Sequence, residues 1–296
     1  MGDRGFENQK TSARIRRLRH NSVTTQPRIC MERARIETEV YREYEGKLSI
    51  PELRAMVLYR YMQDRTLSLD EDELIVGEKA SGPQAAPTFP ELCCHTPEDL
   101  RIMNDRPLIS FAVSEADRSL QQEEIAPYWA GRSMREKLLA SMSPEWKACY
   151  GAGIFTEFME QRGPGHTVGS DMIYQKGFLE HREAIDEAIG RLDFAGDSRA
   201  LEKLEELRAM RLSCEAILIL GARYAALARE RAREAEEPRR SELLAIAANC
   251  DVVPAHRPQT FWQALQMYWF VHLCVTTELN PWDAYSPGRL DQHLNP

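Results

Sequence analysis

From about Arg199 to Glu236 the chain runs for roughly ten helical turns without a proline. Leu201, Leu204, Leu207, Met210, Leu212, Ile217, Leu220 and Ala225 keep a helical stripe along it. Asp197 or Ser198 can cap its start. Pro238 ends it, and Ser241 to Asn249 makes a further helix after the break. A helix of this length commits the chain to a mostly α-helical build with few short strands.

The remaining pattern agrees. Ile36, Val40 and the aliphatic stem of Arg33 recur at helical spacing between Cys30 and Tyr44, with Glu39 and Arg42 on the wet face. Ile50-Pro51 opens the next helix, because proline suits a first helical turn. That helix carries Leu53, Met56, Val57, Tyr59 and Tyr61 toward Met62. Leu74-Ile75-Val76-Gly77 is a short apolar run closed by glycine, which predicts a strand. Residues 78–96 read as loop. Gly163-Pro164-Gly165 interrupts the middle of the chain and lets backbone approach a ligand closely. Thr260 to about Cys274 predicts a buried helix, and its Gln263, Gln266 and His272 mark it as core rather than membrane span. Residues 1–25 are polar and read as a mobile arm, leaving 26–296 as one domain.

Net charge is −8, which argues against nucleic acid or an anionic membrane as partner. The Arg14, Arg16, Arg17, Arg19 cluster reads either as a phosphate patch or as a solvated face. No signal peptide is visible. Seven cysteines lie scattered with no C-x-x-C spacing, as suits reduced thiols in a cytoplasmic protein. Cys93-Cys94-His95 has no second ligand pair at a usual spacing, so no metal site is expected.

Four ordered segments carry a family resemblance. They are Arg28 to Arg35 on the early helix; Asp72 to Gly77 with Ala86-Pro87-Thr88-Phe89-Pro90-Glu91; Phe158 to Thr167; and Trp282 to Gln292. Together they resemble the N-terminal third to two-fifths of glycyl radical enzymes, the pyruvate formate-lyase-like family. The resemblance implies an α/β fold, a ten-stranded α/β barrel wrapped by helices, of which this portion is mostly helical. It also implies a lyase in which a stored glycyl radical abstracts hydrogen from a cysteine that then activates substrate. No Arg-Val-x-Gly-Tyr-type run occurs here, and no cysteine stands in a Gly-Cys-x-Glu context. Residues 26–296 are therefore expected to be an incomplete domain, inactive alone, with apolar surface around Phe261, Trp262, Tyr268, Trp269 and Phe270 partly uncovered.

Within the family the Gly163-Pro164-Gly165-His166 and Glu278 to Asp283 segments look most like the branch that dehydrates trans-4-hydroxy-L-proline. Carried over by motif, Phe158, His166 and Asp283 line the substrate. Asp283 would pair with a cationic ring amine. His166 would supply a proton to the leaving hydroxyl oxygen, and Phe158 an apolar wall. Taken as residues alone, His166 equally serves as a loop hydrogen-bonding group, and Asp283 equally caps a turn. Arg289 and Asp291 read as structural ion-pair formers, and Glu32 and Arg33 as structural too. Alternatives are other glycyl radical lyases (formate acetyltransferase, glycerol dehydratase or sulfonate C–S lyase) and a non-catalytic helical remnant. Cys93-Cys94 stand too early to be the cysteine pair of a formate acetyltransferase. The resemblance further implies a homodimeric parent and a separate S-adenosylmethionine iron–sulfur activating enzyme, with no cofactor held by this chain.

Overall fold

A computed structural model describes residues 12–154, 169–279 and 289–294. In chain order the elements are α1 (Ala13–Thr24), β1 (Arg28–Cys30), α2 (Glu32–Tyr44), α3 (Ile50–Asp64), β2 (Ala85–Pro87) and α4 (Pro97–Asp105). Then α5 (Glu115–Leu120) passes through a π-helical turn at Gln121–Ile125 into α6 (Ala126–Trp129). After these come α7 (Met134–Ser141), α8 (Pro144–Gly151), α9 (Met172–Gln175) and α10 (Phe178–Gly190). The last four are α11 (Ala200–Glu234), α12 (Arg239–Val252), α13 (Phe261–Leu279) and α14 (Leu290–His293).

The 35-residue α11 spans about 52 Å and forms the spine. Helices α3, α10 and α12 pack along it. Its buried face follows the stripe that the sequence suggests only in the later part, at Ile217, Leu220 and Ala225. Leu201 and Met210 are exposed, while Ala209, Ala216, Gly221, Ala225, Ala228 and Ala232 are buried. Small side chains let neighbouring backbones come close. A Cβ on Gly221 would sit 2.4 Å from Pro254 Cδ. At its start the N-cap is Arg199, without a side-chain cap, so neither Asp197 nor Ser198 caps the helix as expected; Asp197, two positions earlier, accepts the Arg199 backbone N–H at 2.9 Å. Helix α3 begins as its sequence predicts, with Pro51 in the first turn and a reciprocal Ser49–Glu52 capping box.

The Leu74–Gly77 run is not a strand, and its backbone bends at Leu74 and Ile75. Side chains of α13 take the place of a pairing strand. Gln266 accepts from the Val76 N–H at 2.8 Å and donates to the Val76 carbonyl at 2.9 Å. Trp262 and Trp269 donate their indole N–H groups to the carbonyls of Leu74 and Gly77, at 2.8 and 2.7 Å. Gly77 has φ +130°, and a Cβ there would lie 2.5 Å from Leu273 Cδ1. Helix α13 is longer than predicted. Its Met267 and Phe270 are fully buried, Trp262, Tyr268 and Trp269 are half-buried, and Phe261 is exposed.

The two strands of the described residues pair in parallel, with Ile29 opposite Ala86. The expected helix over 28–35 is thus split: Arg28–Cys30 is strand, and the helix starts at Glu32. A second small core gathers Ile29, Met31, Ala34, Leu100, Val113, Ile125 and Trp129. Trp129 donates to Thr38 Oγ1 at 2.9 Å. Within the stretch expected to be a mobile arm, α1 is helical and is tied down by charge. Arg14 meets both oxygens of Glu242 at 2.5 and 2.6 Å, and Arg17 those of Asp72 at 2.5 and 2.7 Å. No residue of α1 is buried, so ion pairs rather than apolar packing hold it.

Candidate functional site

A cavity of about 890 Å³ opens between α3, α10, α11 and α13. Its walls are mostly apolar, with Leu58, Ile173, Phe178 and Val271 among them. Its polar lining includes His181 of α10, Glu206 of α11, and Arg54 of α3 with Glu278 of α13, the last two forming an ion pair. Their side chains are 35% and 24% exposed, so the pair is only partly open to solvent. Burial pushes the Glu278 carboxyl up to about 7, with Arg54 and Arg33 pulling the other way. An apolar cleft with a few convergent polar groups is the usual form of a small-molecule site.

Behind Glu278 lies a denser charge cluster. Arg33, 2% exposed, donates to Glu37 at 2.7 Å and to both oxygens of Glu91 at 2.9 and 3.2 Å. It also donates to the backbone carbonyls of Thr88 at 3.3 Å and Thr277 at 3.2 Å. Its guanidinium lies 4.0 Å over the Phe89 ring. Two carboxylates around one cation would leave an excess negative charge in the interior. Burial, together with the neighbouring Glu91, raises the Glu37 carboxyl well above the usual range despite Arg33. Glu91 is also buried, but Arg33 and a hydrogen bond with Glu37 outweigh that and hold it below the usual range. Glu37 is therefore the protonated partner and Glu91 the charged one, which leaves a single balanced ion pair.

Phe158, His166 and Asp283 lie outside the described residues, as does Gly163-Pro164-Gly165. Of the other residues singled out, Arg289 donates to Gln292 Oε1 at 3.4 Å. Glu32 accepts from the Thr66 N–H and hydroxyl at 3.0 and 2.7 Å, a structural role. Burial pushes the Cys94 thiol up to about 11 and the His95 imidazole down, so both stay neutral. All seven cysteines are free. Among the described residues no helix is long and apolar enough to cross a membrane. The Arg33–Glu37–Glu91 cluster and the Arg54–Glu278 pair escaped sequence reading. One signal was present: Arg33, Ile36, Glu37 and Val40 share a helical face, so two charges sit among core positions.

The pyruvate formate lyase-like family model matches residues 8–296. A trans-4-hydroxy-L-proline dehydratase of Clostridioides difficile is 54% identical over 287 residues, covering 97% of this chain and 36% of the relative. The crystal structure of that organism's hydroxyproline dehydratase, with trans-4-hydroxy-L-proline bound, superposes with a TM-score of 0.92 over 97% of this chain and 36% of that one. The B12-independent glycerol dehydratase from Clostridium butyricum, 27% identical, gives 0.89 over 99% of this chain and 37% of its own. A glycyl radical enzyme from Archaeoglobus fulgidus, 30% identical, gives 0.86 over 95% and 36%. The chain thus spans little more than a third of the length of these relatives. It belongs to the pyruvate formate lyase-like family of glycyl radical enzymes.

Proposed function

We propose that this chain forms the substrate-facing N-terminal part of a glycyl radical dehydratase that removes water from a hydroxylated amino acid such as trans-4-hydroxy-L-proline. One observation carries the reading. Identity falls from 54% to 27% between the hydroxyproline and glycerol dehydratases, while the TM-score barely changes, 0.92 against 0.89. Backbone likeness does not separate the two substrates, whereas side-chain likeness favours the first.

The cavity supports the same reading. Gly169 and Glu278 both line it. Gly169 stands three positions after His166, and Glu278 five before Asp283. In this reading Asp283 pairs with the substrate's cationic amine, Phe158 walls the ring, and His166 gives a proton to the leaving hydroxyl oxygen. Radical initiation comes from a glycyl radical installed by an S-adenosylmethionine iron–sulfur activating enzyme. The assembly is a cytoplasmic homodimer, and residues 26–296 form part of a larger domain.

The test is anaerobic activation of the protein that carries this chain, followed by turnover assays with trans-4-hydroxy-L-proline, glycerol and isethionate. Loss of water from hydroxyproline is expected. Turnover of glycerol or isethionate with none of hydroxyproline overturns the assignment. Asp283→Asn should raise KM for the cationic substrate at least tenfold; an unchanged KM removes the proposed amine pairing.

A further inference from the structure

The Arg33 cluster joins three parts of the chain that are remote in sequence. Arg33 and Glu37 belong to α2, Thr88 and Glu91 to the segment after β2, and Thr277 to the last turn of α13. The carbonyls of a helix's last turn lack intrahelical partners and carry the negative end of its dipole. A guanidinium donating there satisfies one of them and complements that charge. Thr277 immediately precedes Glu278, whose carboxylate borders the cavity paired with Arg54. The planar fork of Arg33 reaches Glu37, Glu91 and the Thr277 carbonyl at once. A lysine ammonium, a single point on a flexible stem, does not reproduce that geometry.

We propose that Arg33 is a positioning residue: gripped by Glu37 and Glu91, it clamps the Thr277 carbonyl and so fixes where Glu278 and Arg54 present their charges to the substrate cavity. Arg33 touches no substrate itself. The inference rests on the reading that this cavity serves the substrate, but the clamp has a readout that does not.

The experiment compares the wild-type protein that carries this chain with Arg33→Lys, Glu91→Gln and, as a control on the outer face of the same helix, Arg35→Lys. Backbone hydrogen exchange across residues 275–279 reports the clamp without substrate. It should quicken at least tenfold in Arg33→Lys and remain within twofold in Arg35→Lys. In the activated enzyme, KM for trans-4-hydroxy-L-proline should rise about tenfold in Arg33→Lys while kcat stays within threefold. A merely structural defect would instead lower active fraction and kcat and leave KM alone. Glu91→Gln covers the case in which Arg33→Lys does not fold. There Glu37 can ionise in place of Glu91, so charge balance survives while the two-oxygen grip is lost, and exchange and KM should both rise severalfold. Unchanged exchange in the last turn of α13 overturns the clamp whatever the substrate proves to be. Faster exchange with no turnover of hydroxyproline would instead leave the clamp standing and remove the substrate assignment.

Discussion

Arg33, Glu37 and Glu91 make opposite demands on substitution although all three are buried. Glu37 is held neutral, so glutamine replaces it with little electrostatic change. Glu37→Gln should cost about 1 kcal/mol or less by urea unfolding. Arg33→Met leaves the Glu91 charge buried without its partner and should cost about 3–5 kcal/mol. Equal losses in the two variants would contradict the proton assignment. Little of this was legible in the sequence. The helical face shared by Arg33 and Val40 was visible, but the partner Glu91 and the Thr277 carbonyl lie 58 and 244 positions away. Local spacing carries no information about contacts of that range. Phe158, His166 and Asp283 came from motif likeness, and no contact among the described residues bears on them.

Helices were read well where side-chain chemistry punctuates the chain. Pro51 with the Ser49 cap, and Pro238, mark real boundaries. Two elements were misread, the first in part. The predicted stripe of α11 fails in its first half, where Leu201 and Met210 are exposed, and holds further along, where Ile217, Leu220 and Ala225 are buried beside alanines and a glycine. The Leu74–Gly77 run has the composition of a strand, but its backbone bends at Leu74 and Ile75. What pairs with it is an amide and two indoles projecting from a helix, which no strand rule anticipates. Gln266→Leu should therefore be costly. It strips the partners from a buried N–H and carbonyl at Val76 and should lose about 2–4 kcal/mol in chemical denaturation. Gly77→Ala should lose about 2–4 kcal/mol as well, from backbone strain together with the clash at Leu273. A variant within 0.5 kcal/mol of wild type at either position would mean that α13 does not shape this segment.

Over the folded protein as a unit, two sets of carboxyls set the response to pH. Burial raises Glu73 and Glu278 to about 7 and raises Glu37 and Glu78 as well, above the ordinary unfolded value of about 4.3. The folded state then holds more protons than the unfolded one across roughly pH 4.3 to 7, so stability falls as pH rises through that window. Asp72 and Glu242 behave in the reverse sense. Their hydrogen bonds with Arg17 and Arg14 hold them low, so their contribution is present above the ordinary carboxylate range and is lost as acid is added. Melting temperature should peak near about pH 5 and decline toward pH 8, and Glu73→Gln should flatten the decline. The same Arg14 and Arg17 pairs predict a salt effect, because α1 has no buried residue to hold it. Raising salt to about 1 M shrinks the screening length to roughly 3 Å. Tryptic cutting at Arg16 and Arg19 should then quicken about tenfold, with the core's melting temperature little changed. The clasp made by Arg33 also orders events in time. During synthesis from the N-terminus, Arg33 and both its carboxylates leave the ribosome long before the Thr277 carbonyl exists to receive the remaining N–H. The early portion can collapse and balance its charges, but this last bond waits for the final turn of α13, so the latch closes only after nearly the whole of this chain has been made.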